Sequence, residues 1–433
     1  MKKGLIVLLI ATVLWTGCTK KEQPASQTSE GGAVEPGPVT LTVWCWDPNF
    51  NIYAMNEAAK VYKQINPNVT VNIIETPWDD VQQKLITSFG AGETSSLPDI
   101  VLMQDNAIQK NVVTYPGSFL ALNGKVDLSQ FAQYKVDVAT VDGQSFGVPF
   151  DNGATATFLR RDIIEQAGLT VADFNDITWE RFIELGQQVL SRTGIPMISA
   201  DTTSLDFVMM MLQGSGTWFF KEDGTVNIRD NPALRRCIEI VAQMIQTGIL
   251  LRAADWNEYI STINNGKVAS TIQGCWIIGS ITAEESQSGQ WAVVNTPRFA
   301  TVDSVNYSSQ GGSSWMILAS SKNQDAALDF LNKTFAGSVE FYGTILPSSG
   351  AIGTWLPAAN SSAYSEPQPF FGGQKVYEDI VNYASKVPNV KYGVYNYEAR
   401  TEVTRALESI LQGTPIDTAL ATAHQNLEFL IQQ

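Results

Sequence analysis

The stretch Val39-Thr40-Leu41-Thr42-Val43-Trp44-Cys45-Trp46 decides the fold class. Val39, Leu41, Val43 and Cys45 recur at every second position, the period of a strand with one buried face. Met55, Ala58, Ala59, Tyr62 and Ile65 then recur at helical spacing, and Pro67, which cannot continue a helix, closes the run. Val69, Val71 and Ile73 alternate again as a strand. Val81, Leu85 and Phe89 mark a second helix that ends in the Gly90 to Gly92 loop. Pro98-Asp99 introduces Ile100 to Met103, a continuous apolar run of the kind a parallel strand shows when both its faces are covered. Strand–helix–strand–helix–strand predicts an α/β fold with a parallel sheet and right-handed crossovers. In such sheets ligands gather beyond the carboxyl ends of the strands.

Those ends carry a recurring chemistry. The first strand runs into Trp46-Asp47-Pro48-Asn49, the second into Glu75-Thr76-Pro77-Trp78-Asp79-Asp80, and the third into Gln104-Asp105-Asn106. Flat indole faces stack on the C–H faces of sugars or on cations, while carboxylates and amides hydrogen-bond hydroxyls and amines. Trp44 sits at an alternating strand position, equally suited to core and to ligand. Asp79, just ahead of an apolar-periodic run, reads more readily as a helix N-cap than as a ligand contact. Trp46 with Asp47 is the stronger ligand candidate.

Composition narrows the function classes. The chain has 433 residues, enough for two or three domains. Its 43 Asp+Glu against 28 Lys+Arg give a net charge of −15, which argues against a nucleic-acid partner. The one histidine, His424, limits imidazole catalysis and multi-histidine metal sites. No nucleophile or zinc motif appears, and no phosphate-binding glycine loop follows the first strand. No cofactor is expected.

At the N-terminus, Lys2 and Lys3 precede an apolar run from Leu5 to Trp15, shorter than the roughly 20 residues of a spanning helix. Thr16-Gly17-Cys18 follows. This resembles a bacterial lipoprotein signal, with Trp15 where Leu is usual. The resemblance implies a signal over 1–17, acylation of Cys18, and a lipid-anchored linker over 18–38. The alternative is an ordinary cleaved signal. The linker is rich in Gln, Ser, Glu, Gly and Pro, too polar to fold alone, and would span on the order of 25 Å. Cys45, Cys237 and Cys275 remain, with no CxxC spacing, so at least one is a free buried thiol and a Cys45–Cys275 bridge is disfavoured.

Ordered motifs along the chain resemble the family 1 extracellular solute-binding proteins, the sugar-binding components of ABC importers. They begin with Leu41-Thr42-Val43-Trp44, Tyr62-Lys63-Gln64-Ile65-Asn66-Pro67 and Val69-Thr70-Val71. Leu97-Pro98-Asp99-Ile100-Val101, Gly147-Val148-Pro149-Phe150 and Asn265-Gly266-Lys267-Val268-Ala269 follow, the last leading to Gly274-Cys275-Trp276. Gly311-Gly312, Ser320-Ser321-Lys322 and Ala326-Ala327-Leu328-Asp329-Phe330-Leu331 come next, then the tail from Ala406-Leu407 to Leu427-Glu428. Cys275 departs from the small or proline residue usual there.

The resemblance implies a two-lobed periplasmic-binding-protein fold (type II-like) with a hinged cleft and a helical C-terminal segment. Its lobes would comprise 39–150 with 311–340, and 151–310 with 341–433. Crossings would fall near Phe150-Asp151-Asn152, Gln310-Gly311-Gly312 and 335–345. The glycine-bearing interruptions at Asp151-Asn152-Gly153 and Gly311-Gly312-Ser313 support the first two independently.

In the second lobe, Phe207 to Leu212 reads as a buried helix leading to Trp218, and Met209-Met210-Met211 as core filler. Leu234, Ile238, Val241 and Ile245 form a helical face. Asp255-Trp256 opens another helix with Tyr259 and Ile263, and Ala269 to Ile272 delivers Trp276, which the resemblance places on sugar. Val403, Leu407, Leu420 and Leu427 mark an amphipathic scaffold that also carries His424, on the surface or half-buried.

The expected ligand is a mono- or oligosaccharide, stacked on an indole among Trp46, Trp78, Trp218, Trp256 and Trp276. Asp47, Asp105, Asp151 and Asn152 would orient hydroxyls, Gly312 would allow close backbone approach, and Ser313 would donate a hydrogen bond. ABC permease subunits are the implied partners of a lipid-anchored monomer outside the cytoplasm. Two alternatives stay open. A polyamine or other organic cation also suits indoles beside carboxylates, and a glycan-active enzyme could draw on Asp47, Asp79, Asp105 or Asp151.

Overall fold

The computed structural model describes residues 37–201 and 205–432; the expected signal, Cys18 and all but the end of the expected linker lie outside the described residues. In chain order the strands of the two main sheets are β1 (Val39–Cys45), β2 (Val69–Glu75), β3 (Ile100–Gln104), β4 (Gly147–Asp151), β5 (Thr155–Arg160), β6 (Ile198–Asp201), β7 (Leu250–Ala253), β8 (Ser270–Gly274), β9 (Trp291–Val294) and β10 (Ser313–Ile317). The helices that bear on the site or on the lobe division are α1 (Asn51–Ile65), α2 (Trp78–Ala91), α3 (Asp105–Thr114), α4 (Gln133–Val138), α5 (Asp206–Gly214), α6 (Pro232–Gln246), α7 (Trp256–Asn264), α8 (Val339–Ser349), α9 (Val376–Ala384), α10 (Asn396–Leu411) and α11 (Ile416–Ile431).

The first sheet runs β2-β1-β3-β10-β4. Its β1 pairs parallel with β2 and β3, as the alternating patterns predict, and β10 returns antiparallel between β3 and β4. Leu41, Val43 and Cys45 point into the core, while Trp44 on the opposite face is also buried, packed with Val81, Leu85 and Met103. Trp44 is therefore core. The second sheet runs β9-β5-β8-β6-β7, antiparallel across β9-β5-β8 and parallel across β8-β6-β7. Its helix α5 is buried from Phe207 to Gly214, the methionine triplet included. Helix α6 starts with Pro232 at its first position and Asn231 as cap, the Asn231 side chain accepting from the Leu234 N–H at 3.1 Å.

The two sheets meet at a narrow waist where 151–155 runs beside 308–313. Gln310 N–H donates to Gly153 O at 2.7 Å, and Thr155 N–H to Ser308 O at 2.8 Å. A Cβ on Gly153 would stand 2.7 Å from Ser309 Oγ and 2.8 Å from Gly311 O, so only glycine lets the two crossings touch. Core packing continues through the waist, from Phe150 and Trp315 to Ala156, Phe158 and Trp291.

The structure departs from three expectations here. The chain does not leave the first sheet's side at 335–345: α8 packs on α1, Gly353 bridges Asp151, and the Gly353 N–H donates to Tyr364 Oη at 3.0 Å. The second sheet is reached only near Phe370, whose carbonyl accepts from Gly289 N–H, and Gln374, which exchanges hydrogen bonds with Val293. The aromatic anchors Phe341, Tyr342 and Trp355 hold the intervening segment against the first lobe's core. Asp79 is not an N-cap. Pro77 occupies that position and Asp79 lies in the first turn, where its charge suits the helix dipole. His424 is buried rather than half-buried, with Nε2 3.3 Å from Glu428. Cys45, Cys237 and Cys275 are all buried free thiols; burial pushes that of Cys45 up to about 12. No helix among the described residues is long and apolar enough to cross a membrane.

Candidate functional site

A cleft of about 970 Å³ opens where the carboxyl ends of β1 and β3 face α7 and the turn after β8. The first lobe contributes Trp46, Asp47, Asn49, Tyr53, Gln104 and Asn106. The second contributes Trp256, Ile260, Asn264, Trp276 and Ser280. Asp151 and Gln310 to Ser313 form the waist side, and Arg400 of α10 also reaches the cleft. A smaller pocket, lined by Leu205, Met210, Ile272 and Leu411 together with Asp206, Arg252 and Glu408, offers only about 50 Å³.

Local sequence explains how the rim is set. The Asp47 carboxylate accepts the N–H groups of Asn49 and Phe50 at 2.9 and 3.1 Å, and buried Asn51 accepts those of Trp46 and Asp47, each at 3.0 Å. This fixes the loop after β1 and leaves Trp46 half-buried, with Trp78 beside it at a ring-centroid distance of 5.4 Å. Opposite, Asp255 caps α7 by accepting Glu258 N–H at 2.9 Å, while the Glu258 carboxylate takes Ala254 N–H. Trp256 is thereby held at the first helical position and stays 40% exposed. The indole of Trp276 lies 5.6 Å from that of Trp256 and donates its Nε1–H to Gln310 O at 2.9 Å. The rim therefore presents indole faces from both lobes, each anchored by a neighbour.

Beneath the waist lies a charge cluster that sequence reasoning only half saw. Lys135 of α4 is fully buried; its ammonium donates to the Asp105 carboxylate and, at 3.1 Å, to Ser313 O. Ser314 Oγ donates to the other Asp105 oxygen at 3.1 Å, and Ser313 Oγ donates to Asp151. Burial pushes the Asp105 carboxyl up to about 6 against the pull of Lys135. Burial also raises Asp151, opposed by Lys135 and by the Ser313 hydroxyl. Gly312 covers this cluster at φ +91°, where a Cβ would stand 2.7 Å from Asp105 Oδ2 and 2.8 Å from Lys135 Nζ. Glycine is required there both for the left-handed backbone and for the contact.

Of the residues expected to contact ligand, Trp46, Asp47, Asp151, Trp256, Trp276, Gly312 and Ser313 line the cleft. Four do not. Trp218 is core: its Nε1–H donates to Asn396 Oδ1 at 2.9 Å and Tyr392 packs edge-on against it. Asp105 is spent on Lys135. Asn152 is buried, its Oδ1 accepting from Tyr134 Oη–H at 2.9 Å and Ala154 N–H at 2.7 Å, so it ties the crossing together. Trp78 stands behind Trp46. Lys135 had no signal in the sequence, since α4 is a single turn and a half with no marked periodicity. Gln104 and Asn106 flank Asp105 in the run already noticed. Arg400 lies just ahead of the scaffold run that begins at Val403, and nothing in the sequence singles it out. Among the described residues no group of three or more His, Cys, Asp or Glu side chains could hold a metal.

The comparisons with known proteins fit this geometry. A family model described as "Bacterial extracellular solute-binding protein" matches residues 48–335. The lactose-binding protein of Rhizobium radiobacter is 41% identical over 380 residues, covering 88% of this chain and 90% of the relative. The acarbose-binding GacH receptor of Streptomyces glaucescens superposes with a TM-score of 0.76 at 18% identity, covering 92% of this chain and 100% of that one. The galacto-N-biose-/lacto-N-biose I-binding protein of Bifidobacterium longum gives 0.74 at 17% identity, covering 92% and 98%. These likenesses identify the architecture as that of the two-lobed periplasmic binding proteins.

Proposed function

The chain belongs to the bacterial extracellular solute-binding proteins, and from that premise we propose that it captures lactose or a closely related galactoside and hands it to the permease of an ABC importer. The observation that carries the ligand class is the 41% identity, across nine-tenths of both chains, to a lactose-binding protein. The cleft supports it. At about 970 Å³ it lies near the top of the roughly 300–1,000 Å³ range of small-molecule sites, ample for a disaccharide.

A galactosyl ring offers one flat apolar face for an indole and a hydroxyl-rich edge for amides and acids. Trp46 receives it from one lobe and Trp256 with Trp276 from the other. Asp47 and Asp151 accept hydroxyl protons, and Ser313 and the backbone at Gly312 shape the waist side. Closure about 151–155 and 308–313 removes water from these bonds and strengthens them, and ligand shifts the population toward the closed form. The closed form is what a permease would recognise.

The protein binds its ligand unchanged. Asp105 is committed to Lys135 and Asp79 stands outside the cleft, leaving Asp47 and Asp151 to face the ligand. A cationic ligand is disfavoured by Arg400 in the cleft. Cys18, acylated, would hold a monomer to the outer side of the cytoplasmic membrane or the cell surface, with 18–38 as tether. Calorimetric titration with lactose, maltose, arabinobiose and spermidine tests the reading. Saturable 1:1 heat with lactose, and none with spermidine, is expected. Binding of spermidine in place of every saccharide would refute it.

A further inference from the structure

Arg400 is the one basic side chain among the described residues that line the cleft. It lies in α10, half-buried, with its guanidinium carbon 5.5 Å from the ring centroid of Tyr397. Tyr397 is itself aimed by the first lobe: its hydroxyl donates to Asn106 Oδ1 at 2.9 Å, and Asn106 also lines the cleft. Of the acids nearest along the helix, Glu402 is taken by Arg405 and Asn426, and Glu398 is paired through Oε1 with Lys110 at 2.6 Å while its Oε2 is buried without a hydrogen-bond partner. Among the described residues the Arg400 guanidinium has no ion-pair or hydrogen-bond partner, and it lies over the Tyr397 ring.

A guanidinium cannot shed its proton, and it carries five N–H donors in a rigid planar fork. Contact with the Tyr397 ring leaves the donor edges without a protein acceptor. Arg236 is paired with Glu180 and Arg160 with Asp162; Arg161 and Arg192 also lack a guanidinium partner among the described residues, but neither lines the cleft, and Arg400 does. From this we infer that Arg400 is a specificity-determining residue whose donor fork reads two adjacent oxygen acceptors on the bound saccharide. The inference rests on the sugar-binding reading and deepens it. In a neutral galactoside the two acceptors are vicinal hydroxyl oxygens, and in an acidic sugar they are a carboxylate. A lysine at this position would keep the charge and lose the fork, and Tyr397 with Asn106 sets its aim.

Calorimetry with lactose, its monodeoxy analogues and lactobionate, on the full chain and on Arg400→Gln and Arg400→Lys, tests this. Thermal midpoints unchanged from wild type would show both variants folded. For the wild type, removing one hydroxyl of the read pair is expected to weaken binding tenfold or more. In Arg400→Gln the same deoxygenation should cost less than threefold, and Arg400→Lys should not restore the difference. A merely structural arginine would weaken lactose and every deoxy analogue alike, leaving the ratios intact, and that result overturns the inference. Full rescue by lysine would also overturn it. Lactobionate preferred to lactose, with the preference lost in Arg400→Gln, would support the fork and assign it a carboxylate. Wild-type protein that binds no lactose would instead fail the functional reading, and the inference with it.

Discussion

Two aspartates follow neighbouring strands of the first sheet and meet opposite ends. Asp47, after β1, is exposed at the rim and holds its loop through two backbone N–H groups. Asp105, after β3, is covered by Gly312 and β10 and bound to a buried lysine. The tryptophans repeat the contrast: Trp276 stands at the rim beside Trp256, whereas Trp218 is sealed under Tyr392. A strand end fixes where a side chain begins. What later crosses over it decides whether that side chain meets ligand or holds the floor.

Breaking the floor should cost most. Lys135→Met leaves Asp105 buried without its cation, and urea unfolding is expected to show a loss of about 3–5 kcal/mol. Asp47→Asn at the rim should cost less than about 1 kcal/mol by the same measurement, because water solvates that carboxylate. Equal losses would erase the distinction.

The tryptophans sharpen it at similar size. Trp218→Ala is expected to lower stability by about 3–5 kcal/mol, through the cavity it leaves and the bond to Asn396 it abandons. Trp276→Ala should move stability little and weaken lactose binding tenfold or more, read by calorimetry beside the unfolding curve. Unchanged lactose affinity in a folded Trp276→Ala protein would remove that indole from the site.

The pH dependence is smaller and has a definite sign. Burial raises Asp105 from its ordinary 3.8 to about 6, so the folded state holds that proton more tightly than the unfolded chain. Its contribution to stability is therefore full below the ordinary value and is lost as pH rises through about 6. The stability of wild type relative to Asp105→Asn should fall by up to about 3 kcal/mol between about pH 4 and pH 7. A difference that is flat or rises over this window would contradict the placement of Asp105.

One methyl at the waist should also tell. Gly312→Ala meets both the left-handed backbone and the Asp105–Lys135 pair, so a loss of about 1–3 kcal/mol in thermal unfolding is expected. Gly413→Ala shares the positive φ without any neighbour within 4 Å, and should lose less.

The same contrast marks what could be read from the chain. The β1-to-β3 unit was legible because apolar and polar residues alternate from Val39 to Val43 whereas Ile100 to Met103 are continuously apolar. The waist was legible at Asp151 and Gly312 because glycine and polar residues interrupt apolar runs there. Trp218 and Trp276 were not separable. Each follows a glycine-containing turn, and only the return of Tyr392 and Asn396 from far along the chain buries the first. Lys135 was invisible for the same reason: a lysine is presumed solvated until β10 closes over it. The third crossing was misplaced because α8 owes its position to distant aromatic packing, which leaves no local mark.

A crystal structure with lactose tests the central claim most directly. The sugar is expected between the lobes, with a ring face on Trp46, Trp256 or Trp276 and an oxygen pair within hydrogen-bond reach of Arg400. Lactose seated outside this cleft, or within it but touching none of those indoles, would contradict the account.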